Sequence, residues 1–427
     1  MRREIHVYYG EGVHRFALTQ RDEVVLRSML QEQDRWTRTT PSGRKSFEPL
    51  VTDFQRIDNN YCSFNPGPYV GVVALNDARL IFNAPKWLRG LNNNHLYYML
   101  IRSNPLLPKT VDLPELPSEQ TVSAKGLLEP LFNLFVSETL SALKKGVYKT
   151  YVKEDIVSPN LKGKLDFSRQ VRLDVASKPY FATQRQTFTD KNSLNELLYW
   201  ACKVIEVNSQ NSKTLALTEQ ILGLLPKFKI NNISKLQFVY PERRGFHLRW
   251  AVTLAKLVVN KESVSFEGHQ EQLFSMVINL FDLFENYVAS ELILRDTKFR
   301  HQFEIPFVDQ SGSGTNTGWD RRKVFPDIVY NGTNRFVLDV KMKKIRGSGP
   351  DINDIYQIHF YAMLLGVARA VIVHPIGSLT AEIKKFPVSY NPGNSIEIIC
   401  YGLPIVGTES EMINSVEELY SYLMTSV

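Results

Sequence analysis

The stretch VFPDIVYNGTNRFVLDVKMKK, residues 324–344, constrains this chain more than any other. Two apolar runs rich in Val, Ile and Phe flank Asn331-Gly332, a turn signal, so the segment predicts a β-hairpin. Three charged residues interrupt those runs: Asp327 in the first, Asp339 and Lys341 in the second. In RFVLDVKMK, strand alternation puts Phe336, Leu338 and Val340 on one face, expected to cover the core. Val337, Asp339 and Lys341 then fall on the other face. At ~3.3 Å of rise per residue, Asp339 and Lys341 project together less than ~7 Å apart. Asp327 enters from the neighbouring strand just after Pro326, so strand pairing can bring both carboxylates to one point.

Two carboxylates held close and partly buried repel each other unless a cation neutralises them. A hard divalent cation resolves the conflict. Mg²⁺ takes oxygen ligands, is satisfied with one or two carboxylates, and keeps water and substrate phosphate in its remaining positions; Mn²⁺ shares that preference. A lysine beside the metal can orient or deprotonate the attacking water and offset charge on the pentavalent phosphate. The chemistry these residues suit is metal-assisted phosphodiester hydrolysis. Glu285, in NLFDLFENYVASEL, shares a helical stripe with Phe281, Val288 and Leu292, and an acid among core positions is costly unless something binds it. The metal site is one such partner; an ordinary buried pairing elsewhere is the other. Gln357 and Tyr361 lie one helical turn apart on the helix after the Asp-Val-Lys strand. Gln357 there can bond a scissile-region phosphate or a catalytic water, and Tyr361 reads either as a packing residue or as a contact.

The chain has 427 residues, too many for one ordinary core, so two or three domains are expected. Residues 1–120 read as a first domain, of which 1–60 carry little legible pattern. YVGVVALNDARLIFNAPKWL (69–88) predicts two strands joined at Asn76-Asp77, and LNNNHLYYMLIRS (91–103) a short helix. The proline-rich segment 103–120 is the best linker. Residues 121–265 read as mainly helical with a small β insertion, and 266–427 as the third domain. There the pattern predicts a long helix from about Gln270 to Arg295, a strand at 304–310, the hairpin, a helix at 350–366 and a buried strand at 368–375. The order is α-β-β-β-α-β.

The net charge of +7 suits a polyanionic partner. Cys62, Cys202 and Cys400 form no CxxC pair, which argues against zinc or iron–sulfur sites and fits a reducing compartment. The N-terminal MRREIHVYYGEG has no signal-peptide core, and no apolar stretch reaches spanning length, so a cytoplasmic protein without a membrane partner is expected. LFSMVINLFDLF reads as part of a core helix. No GxxxxGK[ST] occurs, so no nucleotide is expected on this chain. Gly163-Lys164 in NLKGKLDF lacks the upstream glycine and the hydroxyl residue, and reads as a loop.

Phe325-Pro-Asp327 followed by Asp339-Val-Lys341, within that element order, resembles the PD-(D/E)xK nuclease superfamily. Gln357-x-x-x-Tyr361 is similar to the extra motif of its exonuclease-related branch. YVGVVALNDARLIFNAPKW, GVYKTYVKEDIVSPNLKGKLDFSRQVR, DKNSLNELLYWACKVI and NLFDLFENYV occur in the order seen in the McrC family, the nuclease subunits of McrBC-type restriction systems. From about Tyr69 onward most of the chain is covered. The resemblance implies an α+β multidomain protein ending in a PD-(D/E)xK domain with a mixed central sheet. It also implies a Mg²⁺-dependent endodeoxyribonuclease. Its metal ligands would be Asp327, Asp339, the Val340 backbone carbonyl and Glu285, with Lys341 at the water and Gln357 assisting. The implied partners are double-stranded DNA and a McrB-like AAA+ GTPase hexamer, which the N-terminal domain, residues 1–120, would engage and stimulate, with 1–60 open to a system-specific contact. Lys162 and Lys164 in the basic loop, with Arg169 and Arg172, would face that ring or DNA, a solvated surface being an equal reading. In the second basic cluster Lys343 is the better candidate for a phosphate contact. Two rivals stay open: a stand-alone repair or processing nuclease, and a non-cleaving activator or scaffold of the GTPase ring.

Overall fold

The computed structural model describes residues 3–31, 37–39, 45–104, 124–175, 179–228, 243–259, 264–265, 274–306, 323–345, 349–391 and 394–425. The chain is a mixed α/β protein of two compact units: Met1–Leu128 with Ser275–Val427, and Glu129–Phe274. The first unit is therefore built from both ends of the chain.

In its N-terminal part the hairpin expected at 69–88 forms, with Tyr69–Ala74 antiparallel to Ala78–Asn83. Arg3–Tyr8, from the least legible segment, joins it in parallel beside Ala78–Asn83. Residues 276–279 pair antiparallel with Tyr69–Val72 on the other side. This corrects the long helix expected from Gln270. FSMVIN is a strand, Phe274–Asn279, and the helix begins at Leu280. The β-branched Val277 and Ile278 suit a pleated surface, Ile278 standing opposite Val70. The Asn279 side chain also accepts the Phe281 and Asp282 N–H groups, a cap that starts the helix there. Residues 266–273 lie outside the described residues. So do residues 105–123, which hold most of the proline-rich linker; the helix before them is Asn93–Arg102.

The C-terminal part is a six-stranded mixed sheet. Its order is Phe299–His301, Ile328–Tyr330, Phe336–Val340, Arg369–Ile376, Asn394–Pro404, Glu382–Asn391. Phe336–Val340 and Arg369–Ile376 are parallel, and helix Ile352–Leu365 connects them, as a parallel pair requires. The Asp351 side chain caps that helix by accepting the Asn353 N–H at 2.8 Å. The strand expected at 304–310 is not in this sheet. Ile305–Pro306 pairs with Lys323–Val324 in a separate ladder, and Phe299–His301 takes the outer place. Residues 307–322, including SGSGTNTGWDRR, lie outside the described residues.

The hairpin of 324–344 forms with Ile328 opposite Leu338. Its connection is five residues, 331–335, rather than a tight Asn-Gly turn. Gly332 sits so close over the Tyr330 ring that a side chain there would collide with it. The expectation of one covered face also needs correction, because all five residues of Phe336–Val340 are buried. Val337 packs with Val329, Ile358, Tyr361 and Ala362 under the Ile352–Leu365 helix. On the opposite face Phe336 meets Phe299, which meets Tyr420 of helix Glu409–Thr425. A strand flanked by neighbours on both edges and helices on both faces has no solvated side.

The second unit holds the greater part of helix Ala124–Lys144, from Glu129 on, and helices Ser193–Asn208, Ser212–Leu224 and Arg249–Val258. A three-stranded antiparallel sheet orders Lys164–Leu165, Phe181–Thr189 and Thr150–Ser158. The basic segment expected as one loop is divided among elements. Lys162 lies in irregular chain, Lys164 on a strand, and Arg169 and Arg172 on helix Phe167–Val175. Gly163 has φ +100°, and a Cβ there would stand 2.5 Å from the Gln184 carbonyl oxygen, so strand pairing explains this glycine. All three cysteines are buried and free. Among the described residues no helix is long and apolar enough to cross a membrane.

Candidate active site

The hairpin register sets the site. With Ile328 opposite Leu338, Asp327 stands at the step facing Asp339. Asp327 Oδ2 accepts the Val340 backbone N–H at 2.8 Å, which ties the first acid to the strand that carries the second. Asp339 is fully buried. Lys341 Nζ lies 2.8 Å from Asp339 Oδ2 as an ion pair. Both Asp339 oxygens are otherwise short of hydrogen-bond partners among the described residues. Strand and helix meet at Lys341. Its backbone N–H donates to the Val373 carbonyl at 2.8 Å, and its ammonium donates to Gln357 Oε1 at 3.2 Å. Gln357 Nε2 donates in turn to the Tyr361 hydroxyl at 3.1 Å, the one-turn spacing of a helix face.

Glu285 is buried on helix Leu280–Arg295. Its Oε1 contacts His301 Nε2 at 3.0 Å and accepts from Gln302 Nε2. Gln302 also donates its backbone N–H to the Asp327 carbonyl oxygen at 2.8 Å.

The charges are in tension. Burial pushes the Asp327 carboxyl well above its usual range, Asp339 and Glu285 push it further, and Lys341 and the Val340 N–H only partly offset this. Burial likewise raises Asp339 against the pull of Lys341. For Lys341 burial works to lower the ammonium, but attraction to Asp339 and Asp327 outweighs it, and the group stands above its usual value. One lysine is too little cation for these carboxylates.

A divalent cation fits this deficit. The buried, under-partnered Asp339 and the adjacent Asp327 offer hard oxygens, the donor type Mg²⁺ and Mn²⁺ select. Among the described residues no three His, Cys, Asp or Glu side chains form a ready-made cage. Two carboxylates with open positions is the arrangement Mg²⁺ commonly uses with a phosphate substrate.

Asp327, Asp339, Lys341 and Gln357 are brought together. Glu285 is linked to them through Gln302. Tyr361, read either as a packing residue or as a contact, packs in the core and bonds Gln357 through its hydroxyl. Lys343 Nζ binds both oxygens of Asp354 at 2.8 and 3.1 Å, and the Asp354 charge bears in turn on Asp339 and Lys341. The strand has ended at Val340, and a tight turn from Lys343 N–H to the Lys341 carbonyl breaks the alternation on which its expected position rested. Lys162 and Lys164 lie in the other unit, both exposed. Sequence reasoning missed His301, Gln302 and Asp354. Asp354 looks like an ordinary first-turn acid, and His301-Gln302 carries no periodic signal.

Residues 65–375 match the family model described as McrBC 5-methylcytosine restriction system component. No curated protein matches the chain in sequence. In fold, the chain is similar to one in the refined half-complex from a tetradecameric assembly of Thermococcus gammatolerans McrB AAA+ hexamers with bound McrC. That likeness covers 97% of this chain and 100% of that one, at 16% identity and a TM-score of 0.56. A chain of the Thermococcus gammatolerans McrBC complex aligns over 70% of this chain and 89% of its own, at 18% identity and a TM-score of 0.43. With nearly three-quarters of its length matched by the family model, this chain belongs to the McrBC 5-methylcytosine restriction system component family.

Proposed function

We propose that this protein is the DNA-cleaving subunit of a McrBC-type restriction system, hydrolysing phosphodiester bonds with Mg²⁺ at Asp327, Asp339 and Lys341. The observation that carries the proposal is the buried carboxylate pair with a single lysine against it, inside a family of restriction components. The domain around it would be a PD-(D/E)xK nuclease fold. Asp327 and Asp339 would hold the metal, with the Val340 carbonyl and Glu285 contributing. Bound there, Mg²⁺ supplies Lewis-acid polarisation of the phosphate and a more acidic water.

The chain's own residues do the rest. Lys341, held cationic by its two acids, donates toward the attacking water or the phosphate oxygens and offsets their growing negative charge. Gln357 accepts from Lys341 and limits its swing, while Tyr361 fixes the Gln357 amide. The buried Val337 and the helix above it keep bulk water off that side of the strand, which strengthens every charge interaction at the site.

With no P-loop in the sequence, GTP hydrolysis is assigned to a McrB-like AAA+ partner, of the kind named in the similar structure. DNA cutting by the pair is tested on plasmid with Mg²⁺ and GTP. Wild type with the partner should cut; Asp339→Ala should cut about 10³-fold more slowly. Lys341→Ala should lose cutting yet still stimulate the partner's GTP hydrolysis. Cutting by the purified chain without partner or GTP would favour a stand-alone nuclease. Undiminished cutting by Asp339→Ala would remove the site.

A further inference from the structure

Gln302 reaches where an ordinary strand residue would not. His301 ends the strand Phe299–His301, opposite Ile328. Side chains of successive strand residues point to opposite faces. Yet His301 Nε2 and Gln302 Nε2 both meet the same atom, Oε1 of Glu285. The backbone explains it: Gln302 has φ +52°, in the left-handed region that residues with a Cβ seldom enter. Along the same turned segment, the Gln302 N–H donates to the Asp327 carbonyl oxygen at 2.8 Å. One residue therefore grips the helix acid with its side chain and the peptide of the strand acid with its main chain. Glycine would adopt this φ without strain but would bring no amide. Strain of this kind is kept where a local geometry is needed.

Resting on the metal-site reading above, we infer that Gln302 is a positioning residue that holds Glu285 and Asp327 in a fixed relation for a divalent cation. The two acids come from different elements, helix Leu280–Arg295 and the edge of the hairpin, and each would otherwise shift with its own element. Gln302 joins them at the point where the sheet pairing stops. Hydrogen bonds that orient ligands in this way typically tune metal affinity by about 10- to 100-fold.

The test is Mn²⁺ binding to the full chain, read by the loss of the free-ion electron paramagnetic resonance signal, with melting temperature measured in parallel. Gln302→Gly relieves the backbone strain and removes the amide; Gln302→Met keeps the length and the strain and removes the amide. Both should bind Mn²⁺ about tenfold more weakly than wild type. The Gly variant should melt at or above the wild-type temperature, and the Met variant at or below it. Affinity that follows melting temperature, or stays within about twofold of wild type in both variants, overturns the inference. Asp339→Asn separates the two readings. If it abolishes Mn²⁺ binding while both Gln302 variants bind normally, only the role of Gln302 falls. If it binds as tightly as wild type, the metal site falls, and this inference with it.

Discussion

Glu291 and Asp339 are both fully buried carboxylates of the same compact unit, and they are treated in opposite ways. Glu291, on helix Leu280–Arg295, accepts from Arg102 Nη2 at 3.0 Å and from Arg295 Nη1 at 2.8 Å. Two guanidiniums for one carboxylate overcome the cost of burial, and its pKa is held below the usual value. Asp339 shares one lysine with Asp327, keeps oxygens short of partners, and is raised. Arg102 belongs to the N-terminal helix Asn93–Arg102, so the satisfied cluster fastens the two ends of the chain to each other. The other cluster links only neighbouring elements of the C-terminal part and leaves its own charge short of cation. A buried charge that the protein neutralises completely acts as a structural joint; one left short of cation is the kind of group that marks a candidate functional site.

The comparison breaks most readily at Glu291. Glu291→Gln should leave two part-buried arginines without their carboxylate and destabilise the unit by about 3–5 kcal/mol, measured by denaturant unfolding. A loss under about 1 kcal/mol would mean the joint is ornamental. The corresponding change at the site should move the other way. Asp327→Asn keeps an oxygen that can accept the Val340 N–H and removes one of the repelling charges. Without metal its melting temperature should rise by a few degrees. Added Mg²⁺ should then stabilise wild type and leave Asp327→Asn nearly unchanged, since only a bound ligand shifts the equilibrium.

The smallest effect is on pH dependence, and its sign differs between the clusters. Glu291, lowered in the fold, contributes stability above its ordinary value of 4.5 that is lost as pH falls. Asp327 and Asp339, raised, contribute stability below their ordinary value of 3.8 that is lost as pH rises through their folded values. Lys341, also raised, contributes stability that is complete below 10.5 and flat across the acid range. Metal-free Asp327→Asn should therefore lose less stability than wild type between about pH 4 and neutrality, and Glu291→Gln should lose less on acidification. Parallel pH–stability curves for all three would contradict the division.

Much of the candidate site was legible because hairpin periodicity is local. Asp327, Asp339 and Lys341 are placed by alternation and by a turn a few residues away, and Gln357 by helical spacing within one element. Lys343 was assigned by alternation carried past Val340, where the strand ends in a tight turn that local pattern does not mark, and its pairing with Asp354 was not legible. FSMVIN was misread for a related reason. A short apolar run before a helix has the same pattern as the helix's first turns, and its partner strand, Tyr69–Ala74, lies about 200 residues away.

The sequence by itself determined the local pattern: the hairpin that carries Asp327, Asp339 and Lys341, the helix that carries Gln357, and the absence of a P-loop motif. Side-chain type and short spacing suffice for those, since both act over a turn or a hairpin. Tertiary structure alone decided that the chain's two ends share one unit, that Arg102 neutralises Glu291, and that Gln302 turns back to join Glu285 to Asp327. Those outcomes depend on contacts between segments far apart in sequence and on a left-handed backbone turn, which arise only once the sheets and helices have packed.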